Sequence, residues 1–366
     1  MVNFSDFLGN QATVRRLRET LAAGRLPSAM IFSGSRGAGK YTLALLLAQA
    51  ANCLTPTTTD GLPDACGVCA NCERIAPSFA LDERFAEAVA AREDMRDADK
   101  KDTRILIQTH PDVLIVPPDP PQLLIKLGQV RTVIGRIYRR PAQAQRAFYI
   151  FTASTFMKEA ANSLLKILEE PPAHATLILL AENPSELLPT IRSRAGILRL
   201  GALPPAEIDA LLAARRPELK AAQRTLVGRL AEGAVGRALG FDLPAYLASR
   251  QDALIALRTS LAEPDYSALF RMTESYRAGA EGAQKTSAML HALSLLLEDL
   301  LLIHSGVPAL IRNTDLATEL ARMTESVTPA WIEAASRGLD QVESGMRRNL
   351  LRSLSLDAFA TSLPAR

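Results

Sequence analysis

The chain has 366 residues, of which 48% are hydrophobic and 22% are charged, and its formal net charge is +3. This length suits two or three domains, and the hydrophobic share is enough to bury a sizeable core, which excludes a wholly disordered chain. A charge so close to balance does not by itself indicate nucleic-acid binding.

The N-terminal segment and the longest apolar stretch both predict a cytoplasmic protein. Met1 to Asn10 has no charged region followed by an apolar run, so we expect no signal peptide. We also expect no membrane span, because the longest apolar candidate, Ala288 to Ile303, contains His291, Glu298 and Asp299. In the cytosol, four cysteines are expected to be thiols or metal ligands rather than disulfides.

The first half of the chain alternates strand-like and helix-like segments. A buried strand is predicted at Ala29 to Ser33, followed by a glycine-rich turn and a helix over Thr42 to Ala51. Further strands are predicted at Asp112 to Val116, Ala147 to Phe151, Ala175 to Ala181 and Gly196 to Leu200. Continuous apolar strands separated by helices are typical of an α/β fold with a parallel sheet covered on both faces.

The turn after the first strand resembles a nucleotide-binding phosphate loop. Its sequence, Gly-Ser-Arg-Gly-Ala-Gly-Lys-Tyr, matches G-x-x-x-x-G-K-[ST] at every position except the last. The glycines at Gly34, Gly37 and Gly39 let backbone N–H groups close around phosphate oxygens, and Lys40 would reach the β- and γ-phosphates. The alternative is a glycine turn that matches by chance.

Two departures from this pattern predict that the chain alone does not hydrolyse ATP. Tyr41 stands where a Ser or Thr hydroxyl binds Mg²⁺, and Thr42 lies one residue, or about 100° of helix, further on. The strand ending at Phe151 is followed by no carboxylate before Glu159, although this position normally supplies the acid for Mg²⁺ and the attacking water.

All four cysteines fall within one short segment. Cys53, Cys66, Cys69 and Cys72 are separated by twelve, two and two residues. Four thiolates at this spacing suit a tetrahedral Zn²⁺ ion with no open coordination position, which predicts a structural zinc module over 53–72. Free or redox-active thiols are the alternative.

The stretch from about 78 to 104 is charged and predicts a surface excursion, inserted between the cysteines and the next strand. Its alanines allow a solvated helix. Its charged residues include Glu83, Arg84, Glu93, Asp94, Arg96, Asp97, Asp99, Lys100, Lys101 and Asp102.

The strand pattern stops at Leu203, and the remainder reads as helical. We expect an α/β module over 1–203, a helical lid over 204–243 and a helical C-terminal domain over 244–366. A leucine stripe in the last of these indicates a helix that is buried on more than one side. It comprises Leu290, Leu293, Leu295, Leu296, Leu297, Leu300, Leu301 and Leu302.

These motifs together resemble the AAA+ clamp-loader subunits of bacterial DNA polymerase III, which include delta prime and the gamma/tau ATPase. The phosphate loop and four-cysteine module are followed by Thr109 to Asp112, as in that family. Glu159 to Pro172 is similar to its A-A-N-x-L-L-K-x-L-E-E-P-P signature, and Phe4 to Gln11 is similar to its motif beside the adenine pocket. The detailed resemblance covers residues 4 to 240, and the C-terminal collar is assigned by analogy.

The resemblance also implies roles for two arginines. Leu188 to Arg194 is similar to the Ser-Arg-Cys region, with Ala195 replacing cysteine. The family's arginine projects toward the ATP of the adjacent subunit, so Arg194 is implied to be an arginine finger acting in trans, rather than an ordinary surface arginine. Gly233 to Leu239 resembles the lid's sensor-2 segment, in which Arg237 would face a bound triphosphate.

Within this family, the missing magnesium hydroxyl, the missing acids and the lack of a long C-terminal extension favour the delta-prime type over gamma/tau. The resemblance then implies a non-catalytic subunit of a hetero-pentamer with gamma/tau and delta, belonging to a DNA-directed DNA polymerase holoenzyme. It would reach the sliding clamp and primed DNA through the complex, and bind ATP or ADP weakly or not at all.

Two other functions remain open from the sequence. An active gamma/tau-type ATPase would need a carboxylate from elsewhere to replace the missing acids. A zinc-binding nucleic-acid module acting alone would need basic residues around the cysteines, but Asp60, Asp64 and Glu73 outnumber Arg74 there.

Overall fold

The computed structural model describes residues 3–96, 99–100, 103–261, 265–274, 276, 279–347 and 351–362. Asp97, Lys101 and Asp102 of the charged stretch lie outside the described residues. The chain forms two compact units. The first comprises Met1–Leu203 with Gly233–Arg237, and the second comprises Pro204–Glu232 with Ala238–Arg366. The boundaries of a separate lid and collar stay predictions.

A six-stranded sheet forms the centre of the first unit. The described strands of this unit, two of which lie outside the sheet, are β1 (Ala29–Ser33), β2 (Thr57–Thr59), β3 (Leu62–Asp64), β4 (Ile107–His110), β5 (Val113–Val116), β6 (Ala147–Phe151), β7 (Ala175–Ala181) and β8 (Gly196–Arg199). The sheet order is β4-β5-β6-β7-β1-β8, with β4 antiparallel to β5 and all other neighbours parallel. Strands β2 and β3 form a separate antiparallel hairpin. The predicted α/β fold with a parallel sheet is therefore confirmed.

Helices cover both faces of this sheet. Those that the structure describes in the first unit up to β8 are α1 (Gln11–Ala22), α2 (Lys40–Asn52), α3 (Ala70–Ile75), α4 (Leu81–Glu93), α5 (Leu127–Ile137), α6 (Lys158–Glu169) and α7 (Pro189–Arg192). Short 3₁₀ helices lie at Phe4–Asp6, Ala76–Phe79 and Pro184–Glu186.

Alternate residues of the buried strands serve two separate cores. Met30 and Phe32 of β1 pack in a core with α1 and α2, whereas Ala29 and Ile31 pack in a core with α5 and α6. Successive side chains of a strand point to opposite faces, so a strand covered on both sides must be apolar throughout. This is why all residues of β1, β6 and β7 are buried.

The described elements of the second unit are all helical. They are α8 (Pro205–Arg215), α9 (Ala221–Leu230), α11 (Leu243–Leu261), α12 (Ser267–Glu274), α13 (Gly279–His304), α14 (Ala317–Thr324), α15 (Pro329–Arg347) and α16 (Arg352–Ser362), with 3₁₀ turns at Pro308–Leu310 and Thr314–Leu316. The short helix α10 (Val235–Leu239) lies mostly in the segment assigned to the first unit.

By length and composition alone, the segment Gly282–His304 of α13 could cross a membrane, although no membrane span was predicted from the sequence. Its leucines at 290, 293, 296, 297 and 300 lie in the core of the second unit, where α11, α14 and α15 contact it. Leu301 is an exception to the predicted stripe, because it is 45% exposed. A core helix passes the same test of length and composition, so these contacts account for the apolar sequence.

Candidate functional site

The predicted phosphate loop connects β1 to α2, and its shape depends on glycine. Gly37 and Gly39 have φ angles of 84° and 87°, a region that other residues rarely adopt. A Cβ atom on Gly37 would lie 2.7 Å from the backbone nitrogen of Arg237. The Gly236 N–H donates to the Gly37 carbonyl at 2.8 Å. The start of α10 therefore packs directly on the loop.

Lys40 is held inside the loop by two carbonyl groups. Its Nζ donates to the oxygens of Gly34 at 2.6 Å and Ser35 at 2.9 Å. Burial lowers the pKa of Lys40, while the nearby carboxylates of Glu182 and Glu186 act in the opposite direction. The lysine that would bind phosphate therefore has two acidic neighbours, Glu182 and Glu186, which were not predicted from the sequence.

A cavity of about 1020 Å³ opens beside the loop. Its wall includes Tyr41, Thr42 and the residues that follow β6. The charged residues that line it are Arg36, Lys40, Asp82, Glu83, Glu182 and Glu186. Glu182 lies there because β1 and β7 are parallel neighbours and the residues after them meet at one edge of the sheet.

The sequence has no carboxylate between the end of β6 and Glu159, and the hydroxyl of Ser154 in this segment contacts another group. Ser154 Oγ donates to Glu186. That carboxylate also accepts the backbone N–H of Asn183 at 3.0 Å and of Glu182 at 3.3 Å. Glu186 therefore caps the 3₁₀ helix Pro184–Glu186 and orders the end of β7.

Tyr41 ties α2 to the segment after the cysteines. Its hydroxyl donates to the buried carbonyl of Ser78 at 2.6 Å. Burial raises the pKa of Tyr41, so the phenol stays protonated and remains a donor. The position that would bind Mg²⁺ in an ATPase thus holds a structural side chain.

Replacing Tyr41 with phenylalanine should destabilise the first unit by about 1–3 kcal/mol, because the Ser78 carbonyl would be left buried without this donor. Urea unfolding of Tyr41→Phe against the wild-type chain measures the change. Tyr138→Phe is the matched control, since Tyr138 is 55% exposed. Equal losses in the two variants would contradict a specific role for the Tyr41 hydroxyl.

The four cysteines converge on one point. Cys53 caps the C-terminus of α2, Cys66 and Cys69 follow the β2–β3 hairpin, and Cys72 lies in α3. Their sulfur atoms all lie within 4.8 Å of one another. This donor set fits a tetrahedral metal ion, and the identification of that ion as Zn²⁺ stays a prediction.

Hydrogen bonds to sulfur also suit thiolate ligands. The Thr55 hydroxyl donates to Cys66 Sγ at 3.1 Å, and the Leu54 N–H donates to Cys69 Sγ at 3.4 Å. Chiefly because of the bond from Thr55, the pKa of the Cys66 thiol is lowered to about 6. Donors of this kind stabilise negative charge on a ligand.

The cysteine module is joined to α2 at several points. Gln49 Nε2 donates to the Cys72 carbonyl at 3.0 Å, and Asn71 Nδ2 donates to the Asn52 carbonyl at 2.9 Å. His110 of β4 contacts Asn71 Oδ1 at 3.1 Å. One helix therefore runs from the predicted phosphate loop at its first residue to the four clustered cysteines at its end.

The two arginines singled out by sequence lie in different places. Arg194 follows α7 and is 37% exposed at its side chain, where Nη2 contacts Glu169 Oε1 at 3.1 Å and Nη1 donates to the Thr190 carbonyl at 3.1 Å. The backbone of Arg237 abuts the phosphate loop. Among the described residues that line the cavity, Gly236 is present and neither arginine is.

Comparison with known proteins gives concordant matches. Residues 9–204 match the family described as DNA polymerase III, delta subunit. The chain is 31% identical over 212 residues to the DNA polymerase III subunit gamma/tau of Mycobacterium tuberculosis, covering 58% of this chain and 31% of that protein. It is 30% identical over 197 residues to the DNA polymerase III subunit delta′ of Bacillus subtilis, covering 54% of this chain and 49% of that protein. These matches span less than two thirds of the relatives' own length.

Among solved structures, a DNA polymerase III gamma-subunit-related protein of Thermotoga maritima matches with 17% identity and a TM-score of 0.39. That match covers 96% of this chain and 98% of the other.

Proposed function

The chain belongs to the DNA polymerase III delta subunit family, and we propose that it is a non-catalytic, delta-prime-like subunit of the bacterial clamp loader. The observation that carries this proposal is the state of the nucleotide site. Tyr41, at the Mg²⁺-ligand position, is bonded to Ser78, and β6 ends without a carboxylate. An ATPase of this type needs both groups to hold Mg²⁺ and orient water.

Its role would be to complete a ring rather than to turn over nucleotide. The partners we propose are gamma/tau and delta subunits in a hetero-pentamer, with the sliding clamp and primed DNA reached through that complex in the cytoplasm. The near-neutral net charge of the chain argues against strong DNA binding by this chain alone.

Arg194 is the residue we assign to the neighbouring subunit's reaction. It lies outside the cavity beside the chain's own phosphate loop, and its guanidinium is partly exposed. Both features support a role in trans, where an arginine stabilises charge that develops on a transferred phosphoryl group. Glu169 and the Thr190 carbonyl would hold the guanidinium in one orientation.

One observation favours the alternative of an active gamma/tau-type ATPase. Glu182 and Glu186 line the cavity near Lys40, so carboxylates from another strand end are present. Against this alternative, Glu186 accepts bonds from Ser154 and from two backbone N–H groups, which commits it to local structure.

The test is phosphate release from Mg²⁺–ATP by the purified chain, compared with its Lys40→Ala variant. We expect the two proteins to release phosphate at the same background rate, because the metal-binding groups are missing. Lys158→Ala, which removes an exposed lysine at the start of α6, is the control for a change of charge. Turnover that is lost in Lys40→Ala and kept in Lys158→Ala would overturn the proposal in favour of the ATPase.

A further inference from the structure

The cavity beside the phosphate loop is acidic. Two basic residues, Arg36 and Lys40, line it together with four acidic residues. Those acidic residues are Asp82, Glu83, Glu182 and Glu186. A site built for a triphosphate surrounds the phosphates with N–H groups and cations, and its carboxylates bind Mg²⁺ rather than facing the phosphates directly.

The size of the cavity does not account for rejection of a nucleotide. Its volume of about 1020 Å³ lies at the upper end of the range of ordinary ligand sites, roughly 300–1,000 Å³. Its wall also has apolar surface, supplied by Phe79, Phe85 and Leu123 among others. A nucleoside therefore has both room and apolar surface, and only the phosphates meet unfavourable charge.

Two of the acidic residues belong to the charged stretch that was predicted from sequence to be a surface excursion. That stretch forms α4, and its first turn places Asp82 and Glu83 on the cavity wall. Phe79, Leu81 and Phe85 pack against the core beneath them. No residue of α4 is buried, so this part of the stretch is a helix at the surface, and its first turn also lines the cavity.

The other end of α4 is anchored as well. Arg92 Nη1 contacts Asp119 Oδ1 at 2.7 Å, and Lys126 Nζ contacts the same oxygen at 3.0 Å. Asp119 is only 1% exposed, so this ion cluster is shielded from water. Because both ends of α4 are fixed, the acids of its first turn remain on the cavity wall.

We propose that Asp82 and Glu83, together with Glu182 and Glu186, determine specificity by rejecting polyphosphates from this cavity on the basis of charge. This inference deepens the proposed function and rests on it, since it explains why a subunit with an intact glycine loop would hold no ATP. It differs from the loss of the Mg²⁺ ligands, because repulsion between carboxylates and phosphates acts without any metal.

The test is a titration of the full chain with fluorescent ATP and with fluorescent adenosine, both without Mg²⁺. The variant Asp82→Asn/Glu83→Gln removes two charges from exposed side chains and leaves the bonds of Glu186 intact. The matched control, Glu93→Gln/Asp94→Asn, removes two charges at the other end of α4, away from the cavity lining.

We expect the cavity variant to bind ATP about tenfold more tightly than the wild-type chain, with the gain shrinking at high salt because exposed charges are screened. Adenosine affinity should stay the same, and the control should match the wild type for both ligands. Equal ATP affinity in the cavity variant and the wild type, including no detectable binding by either, would overturn the inference. So would an equal gain for adenosine, or an equal gain in the control.

The two proposals fail separately. ATP turnover by the wild-type chain would refute the non-catalytic role. An unchanged ATP affinity in the cavity variant, with no turnover, would refute only the charge-based rejection.

Discussion

Replacing Arg194 with alanine should leave the chain folded and able to assemble, but should lower ATP hydrolysis at the adjoining site of a reconstituted ring by about 10³-fold or more. The guanidinium is partly exposed and its contacts are local, so its loss costs little stability. The effect is measured by single-turnover hydrolysis by the ring. In such an experiment the other ATPase sites give separate kinetic phases, which should not change.

Two variants sharpen this experiment. Arg194→Lys keeps the charge but loses the planar fork, so it should restore only a small part of the rate. Arg199→Ala removes an exposed arginine of β8 and should leave the rate unchanged. Rings containing Arg194→Ala that assemble normally and hydrolyse ATP at the wild-type rate would show that this arginine does not act in trans.

The second large effect concerns the cysteines. Chelation of the metal, or the substitution Cys72→Ser, should destabilise the first unit by several kcal/mol, since a bound structural metal stabilises only the folded site. Cys72 is fully buried and its carbonyl accepts the Gln49 side chain, so disorder there would reach α2. For a unit of about 200 residues, we expect the melting temperature to fall by roughly 10 °C in calorimetry.

The chain contains an internal control for this measurement. Its one tryptophan, Trp331, is 4% exposed in the core of the second unit, so its fluorescence reports melting there. That transition should change little when the metal is removed. The variant Val68→Ala, which alters an exposed residue between two cysteines, should melt like the wild type. An unchanged calorimetric profile with chelator would argue against a structural metal.

The central strands could be read from sequence because burial on both faces leaves continuous apolar runs. The predictions for β1, β6 and β7 are confirmed residue for residue. The observed helix α2, Lys40–Asn52, is slightly longer at both ends than the predicted helix, Thr42 to Ala51. Strand β5 begins one residue later than predicted, at Val113, and β8 ends one residue earlier, at Arg199.

Other elements carried too little local signal. The hairpin β2–β3 has three residues in each strand, with threonines and a proline in place of apolar alternation. Strand β4 contains polar residues and pairs antiparallel at the edge of the sheet, where one side of the strand has no neighbour. Each pairs with the next strand along the chain, but neither has the apolar pattern by which a strand is predicted from sequence.

At the candidate site, motifs located the loop, the cysteines and the arginines, but not the acidic residues that line the cavity. Glu182 and Glu186 follow β7, and Asp82 and Glu83 begin α4, so each reaches the cavity only through the tertiary fold. The hydrogen-bond acceptor of the Tyr41 hydroxyl could not be predicted either, because Ser78 is 37 residues away along the chain. A motif predicts only the residues that it contains, whereas the balance of charge around it depends on chain topology.

The order of the strands also has a consequence for synthesis on the ribosome. Strand β1 pairs with β7 and β8, and Ala29 lies opposite Leu177, so its hydrogen-bonding partners are made roughly 150 residues later. At typical translation rates this delay is roughly 10–30 s. Throughout that interval the nascent chain presents β1 and the apolar helix after it without their sheet neighbours, which makes this segment the natural target of chaperones that shield growing polypeptides.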